Sequence, residues 1–192
     1  EGLGHVFRTR SDTEVIVHAY QQWGERCVER FNGQFAVAIW DRAEQTLFLA
    51  RDRFGIRPLY LALAGRELVF ASEMKALFAW PGLARDLDGE RLSEVFTYWA
   101  NIAPATPFAG VAQLPPGHTA LVRGLAPAGP PPPAPLPACV ALRRYWSPRF
   151  LPAREDARHP DREATRSMAR TIRQKLEHAS VIRHGPGGLA VG

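Results

Sequence analysis

Phe35-Ala36-Val37-Ala38-Ile39-Trp40, then the polar residues 41–45, then Thr46-Leu47-Phe48-Leu49-Ala50: this stretch decides the fold class. Both apolar runs are strand-length and rich in β-branched and aromatic side chains. The first reads as a strand buried on both faces, residues 41–45 as a hairpin loop, and 46–50 as the returning strand. A second hairpin follows, from 59–63 through Ala64-Gly65-Arg66 to 67–71. Parallel strands need a crossover of roughly a dozen residues or more, so loops this short specify an antiparallel sheet.

Helices flank these strands. Ser11-Asp12-Thr13-Glu14 opens one with the Ser-x-x-Glu capping pattern; Val15, Ile16, Ala19 and Tyr20 follow at helical spacing, and Gly24 ends it. Residues 27–31 form a short amphipathic turn leading into Asn32-Gly33, a tight turn. A helix starts over 74–78. Asp88 caps another, with Leu92, Val95, Phe96 and Trp99 on one face. The segment to Val122 is rich in loops and holds Leu114-Pro115-Pro116-Gly117-His118. Residues 127–137 are a semi-rigid polyproline linker or inserted loop, read as a spacer rather than a ligand for a signalling module. Residues 163–182 form a charged amphipathic helix. The chain is thus α+β.

Composition narrows the function classes. Of 192 residues, 46% are apolar and 22% charged, the balance of a globular protein. No apolar stretch approaches the ~18 residues of a membrane helix, and the first residues lack a signal peptide's basic and apolar regions. They also lack an initiator Met, which suggests truncation. The charge of +5 is almost all arginine, since only Lys75 and Lys175 are lysines. It is spread along the chain with no aromatic platform, which argues against a nucleic-acid partner. Cys27 and Cys139 have no metal spacing, so the expectation is two free thiols in a reducing cytoplasm. The six histidines are scattered, and no pair has the i, i+4 spacing of a helical metal site.

The motifs SDTE (11–14), FNGQFAVAIWD (31–41), RDRFGIRPLY (51–60), FASEMKAL (70–77) and LPPGH (114–118) occur in one order and spacing. Together they resemble the glutaminase domain of glutamine-hydrolysing asparagine synthetases, a class II glutamine amidotransferase. The resemblance divides the chain into part of that domain (1–125), the proline-rich linker (126–162) and the start of a synthetase domain (163–192). It implies a partial αββα sandwich of the N-terminal-nucleophile hydrolase type, with antiparallel sheets. In that family an amino-terminal Cys attacks the glutamine amide, and ammonia passes through a tunnel to aspartate activated by ATP.

By resemblance, Asp12 binds the α-ammonium of glutamine, a charge-assisted contact suited to a carboxylate. Ser11 does the capping and leaves Asp12 free. Arg51, Asp52, Gly55 and Pro58 read as scaffold: a turn, a fixed strand entry and a tie between strand ends. Ser72, Glu73 and Lys75 match a motif that faces the synthetase partner, although a plain helix cap with a first-turn acid explains them as well. Gln34 and Arg57 match tunnel positions that carry apolar side chains in some members. No catalytic residue and no metal ligand are expected, because the family's Cys, Arg and Asn-Gly oxyanion segment precede this sequence. Gly187-Gly188-Leu189 resembles a pyrophosphate loop, but Pro186, Ala190 and Val191 replace its Ser, Asp and Ser. ATP and magnesium are therefore expectations for a longer parent, as are a cytoplasmic location and a homodimer. Two alternatives stand beside this reading: a fragment of a phosphoribosyl-pyrophosphate amidotransferase, which shares SDTE and the RD-x-x-G-I-R-P-L stretch, and a non-catalytic amino-acid-binding module.

Overall fold

A computed structural model describes residues 3–124, 136–150 and 162–184. The backbone clusters into two compact units, Gln34–Ser147 and a second made of Glu1–Gly33 with Pro148–Gly192.

In the larger unit, β1 (Ala36–Asp41) and β2 (Thr46–Arg51) pair as the first hairpin, and β3 (Tyr60–Ala64) and β4 (Glu67–Ala71) as the second. The hairpins do not share a sheet. β2 pairs instead with β6 (His118–Val122), which pairs with β7 (Val140–Arg144), giving the order β1-β2-β6-β7. The second hairpin gains β5 (Val111–Gln113), giving β4-β3-β5. The two hairpins, read locally as one antiparallel sheet, thus lie in two, in keeping with the antiparallel sheets that the resemblance implied.

One core joins them. Leu49 from β2, Leu61 from β3, Ala112 from β5, Ala120 from β6 and Val140 from β7 pack with Leu59 and Leu114, all at most 4% exposed. Burying a side chain of the Leu class contributes about 1.5–3 kcal/mol, so this cluster dominates the unit's stability. Leu136, near the end of the proline-rich stretch, also enters it. The far face of the three-stranded sheet carries a second cluster of Ala62, Val111 and Leu77, the last from α2 (Met74–Leu77).

Strand burial departs from expectation at the edge. β2 is buried along nearly its whole length, but β1 alternates and its Trp40 is 54% exposed. β1 has a neighbour on one side only, which accounts for the difference. α3 (Gly89–Tyr98) is capped by Asp88, whose carboxylate accepts from the amides of Glu90 and Arg91, both at 3.1 Å. Its expected apolar face is only partly covered: Leu92 and Val95 are half-buried, but Phe96 is 80% and Trp99 91% exposed.

In the smaller unit, α1 (Asp12–Trp23) is capped by Ser11 and stopped by Gly24, at φ 56°, where a tighter 3-10 helix (Gly24–Arg30) begins. α4 (Arg162–His184) matches the helix read over 163–182. Most of the proline-rich stretch and the glycine-rich end at 185–192 lie outside the described residues.

Candidate functional site

The first turn of α1 is built by a ring of hydrogen bonds. The Ser11 hydroxyl accepts from the Thr13 amide at 3.2 Å, so Ser11 does the capping as the sequence suggested. Glu14 does not complete the usual box by reaching back to the Ser11 amide. Its carboxylate accepts from the amides of Arg8 at 2.8 Å and Thr9 at 2.7 Å, and from the Thr9 hydroxyl. The Thr9 oxygen in turn accepts from the Ser11 amide at 3.2 Å. These donors, the Thr9 hydroxyl first and then the Arg8 amide, hold the Glu14 carboxyl down at about 2 from an ordinary 4.5.

Asp12 sits inside this ring, half-buried, with its carboxylate spared. Among the described residues its contact is the Ser11 hydroxyl at 3.5 Å, too long to be a strong bond. A carboxylate at a helix start, aided by the dipole and not used as a cap, is suited to an ammonium ligand. Thr9 and Arg8 were missed in the sequence because backbone amides are invisible to a motif. The Ser-x-x-Glu pattern did flag Glu14, but with the wrong partner.

The second constellation is the Arg51–Asp52 node. Both residues are buried, at 6% and 2% exposed. The Arg51 guanidinium donates to the carbonyls of Gly55 (2.7 Å), Arg57 (2.9 Å) and Leu114 (2.7 Å), and to the Gln113 side chain (3.0 Å). Burial pushes its pKa down, while Asp52 opposes that shift. Asp52 accepts from the amides of Phe54, Ile56 and Arg57 at 2.9–3.1 Å, closing the loop that Gly55 turns at φ 66°. A charged pair at this depth persists because its hydrogen-bonding capacity is met. Arg51 lies on the four-stranded sheet and Gln113 on the three-stranded one, so this is the scaffold role expected of it.

The LPPGH motif belongs to the same node. The Gly117 amide donates to the Asp52 carbonyl at 2.9 Å, and its own carbonyl accepts from Tyr145 and Trp146. The Tyr145 hydroxyl donates to the Arg51 carbonyl at 2.8 Å, and burial raises its pKa. The His118 Nδ1 lies 2.7 Å from the Pro116 carbonyl, and burial lowers the pKa of that ring.

Arg57 meets this node through its backbone, whereas at Gln34 it is the following residue that does so. The Phe35 carbonyl next to Gln34 accepts from the Asp52 amide, and the Arg57 amide donates to the Asp52 carboxylate. Arg57 is exposed and Gln34 half-buried. Ser72, Glu73 and Lys75 are all exposed, with Lys75 paired to Glu73 at 2.6 Å. Ser72 does not cap α2; Glu73 occupies the cap position and makes no side-chain bond there. Neither cysteine is presented to solvent: Cys27 is 0% and Cys139 2% exposed, and burial raises the Cys139 pKa.

The family model described as "Glutamine amidotransferase domain" matches residues 1–126, the stretch that carries both the Asp12 ring and the Arg51–Asp52 node. This chain belongs to the glutamine amidotransferase domain family. Glutamine-hydrolyzing asparagine synthetase 3 of Bacillus subtilis (strain 168) is 41% identical over 116 residues, 60% of this chain and 19% of that protein. Glutamine-hydrolyzing asparagine synthetase 2 of the same organism is 46% identical over 93 residues, 48% of this chain and 12% of that protein. The amidotransferase chain therefore spans no more than about a fifth of the length of these curated relatives. A looser structural likeness, TM-score 0.45 at 19% identity, covers 76% of this chain and 25% of a glutamine phosphoribosylpyrophosphate amidotransferase from B. subtilis. Among the described residues of this amidotransferase domain, no group of three His, Cys, Asp or Glu could hold a metal ion. No helix among them is long and apolar enough to cross a membrane.

Proposed function

We propose that this chain is the glutamine-recognising part of an asparagine synthetase-like enzyme, with Asp12 holding the α-ammonium of glutamine. The observation that carries this reading is the spared carboxylate: Ser11 caps α1, and Asp12 is left with a 3.5 Å contact. The curated relatives favour it over the phosphoribosyl-pyrophosphate alternative, since both are named as asparagine synthetases.

In this reading the chain binds and orients substrate rather than attacking it, because Cys27 and Cys139 are buried. Residues 1–125 form the glutaminase portion, 126–162 a spacer, and 163–192 the beginning of the synthetase portion. The exposed Ser72, Glu73 and Lys75 face the synthetase domain of the longer protein, and Gln34 and Arg57 border the ammonia route. ATP and magnesium act in the longer protein, where aspartate is amidated; the described residues offer no three-ligand metal cluster. The partners are glutamine, the synthetase portion and a second copy in a homodimer, in the cytoplasm.

Calorimetric titration of the full chain with glutamine tests the reading. A charge-assisted hydrogen bond contributes about 1.5–3 kcal/mol, so Asp12→Asn is expected to weaken glutamine binding by roughly 10- to 100-fold. Unchanged affinity in that variant would remove Asp12 from the site. For the longer protein, ATP-dependent formation of asparagine from aspartate and glutamine is expected; an amidated product other than asparagine would overturn the choice of acceptor.

A further inference from the structure

We propose that Glu14 is a positioning residue for the amine-binding carboxylate of Asp12, an inference that rests on the reading of Asp12 given above. An ordinary capping-box glutamate reaches back to the amide of the cap residue itself. Here the carboxylate passes over Ser11 and takes the amides of Arg8 and Thr9, six and five residues before it, with the Thr9 hydroxyl as a third donor. Capping does not require this, because Ser11 already satisfies the Thr13 amide.

The three donors instead close a circuit. Glu14 fixes Thr9, the Thr9 oxygen fixes the Ser11 amide, and the Ser11 oxygen fixes the Thr13 amide. Asp12 and Thr13 are the members of the 11–14 run whose side chains take no strong bond in the circuit, and of the two Asp12 alone carries a charge; its backbone is held from both sides. Further contacts brace the incoming segment on α1. His18 lies 3.8 Å from Glu14, with the Phe7 and His5 rings each 4.8 Å from its own ring, and His5 Nε2 is 3.1 Å from the Gln22 side-chain oxygen. A ligand-binding carboxylate gains most when its geometry is set before the ligand arrives. Glu14 supplies that order without touching the ligand.

The test uses the full chain and two ligands, glutamine and glutaramate, its analogue without the α-amine. Wild type is expected to prefer glutamine, and Asp12→Asn to abolish that preference. Glu14→Ala should shrink the preference about tenfold while moving glutaramate affinity less than about twofold, and Glu14→Gln, which keeps one acceptor oxygen, should fall between. Thr9→Val, which removes the hydroxyl that donates to Glu14 and accepts from the Ser11 amide, should act in the same direction and decides the matter if Glu14→Ala does not fold. Equal loss for both ligands would make Glu14 mere scaffold, and no loss for either would remove it altogether. If wild type shows no preference, or Asp12→Asn keeps it, the Asp12 reading itself falls and this inference with it.

Discussion

A methyl group added at Gly55 would meet Pro116 Cγ at 2.7 Å and Arg51 Cζ at 3.0 Å, on a backbone at φ 66° that L-residues avoid. Both penalties act together, so Gly55→Ala is expected to destabilise the chain by about 2–4 kcal/mol, read from urea unfolding monitored by tryptophan fluorescence. That Arg51, Asp52 and Gly55 form a scaffold was legible in the sequence. The arginine's farther partners, Gln113 and Leu114, were not, because they lie 62 and 63 positions along the chain. Glu14 gives a pH signature. Its carboxyl is held at about 2 against an ordinary 4.5, so its contribution is complete above about 4.5 and is lost as pH falls towards 2. Protection of the Arg8 and Thr9 amides, taken as exchange relative to the intrinsic rate at each pH, should therefore fall as pH drops through that window and stay level above it. The His18 imidazole lies 3.8 Å from the Glu14 carboxylate, and the His5 ring 4.8 Å from that of His18.

At the scale of elements, hairpins were easier to read than sheets. β1 to β4 show their near-continuous apolar runs and turn residues locally, but which hairpin joins which sheet depends on pairings such as Phe48 with Leu121 and Leu61 with Ala112. β5 has three residues, too few for a period, and β7 follows the proline-rich stretch; both take extended form from their neighbours. α3 was legible through its Asp88 cap, but its end was not. Trp99 stops the helix in the left-handed region at φ 59°, where glycine is the usual residue, and is 91% exposed. Its side chain is almost wholly in solvent while its backbone is strained. Trp99→Gly should thus stabilise the chain by about 1 kcal/mol, seen as a raised urea midpoint at unchanged slope. A fall in the midpoint would mean that the indole packs against something when the chain is in solution.

For the whole molecule, the decisive quantity is apolar surface left in water. Phe96, Trp99 and Ile102 are 61–91% exposed around the end of α3, and Met168, Ile172, Leu176 and Val181 are 55–70% exposed along α4. Met168, Ile172 and Leu176 recur every four residues, so they form one stripe on the helix, with Arg166, Arg170 and Arg173 outside it. Surfaces of this kind promote association in an isolated chain, and the open edge of β1 adds to it. The chain is accordingly expected to associate in a concentration-dependent way in sedimentation velocity. Paired substitution Ile172→Asp with Leu176→Asp should reduce that association while leaving the unfolding of the sheet core unchanged, because the buried members of that core come from residues 49–140. A wild-type chain that stays monomeric at high concentration would show that these side chains are covered within the molecule. Persistence of association in the double variant would shift its origin to the aromatic end of α3 or to β1.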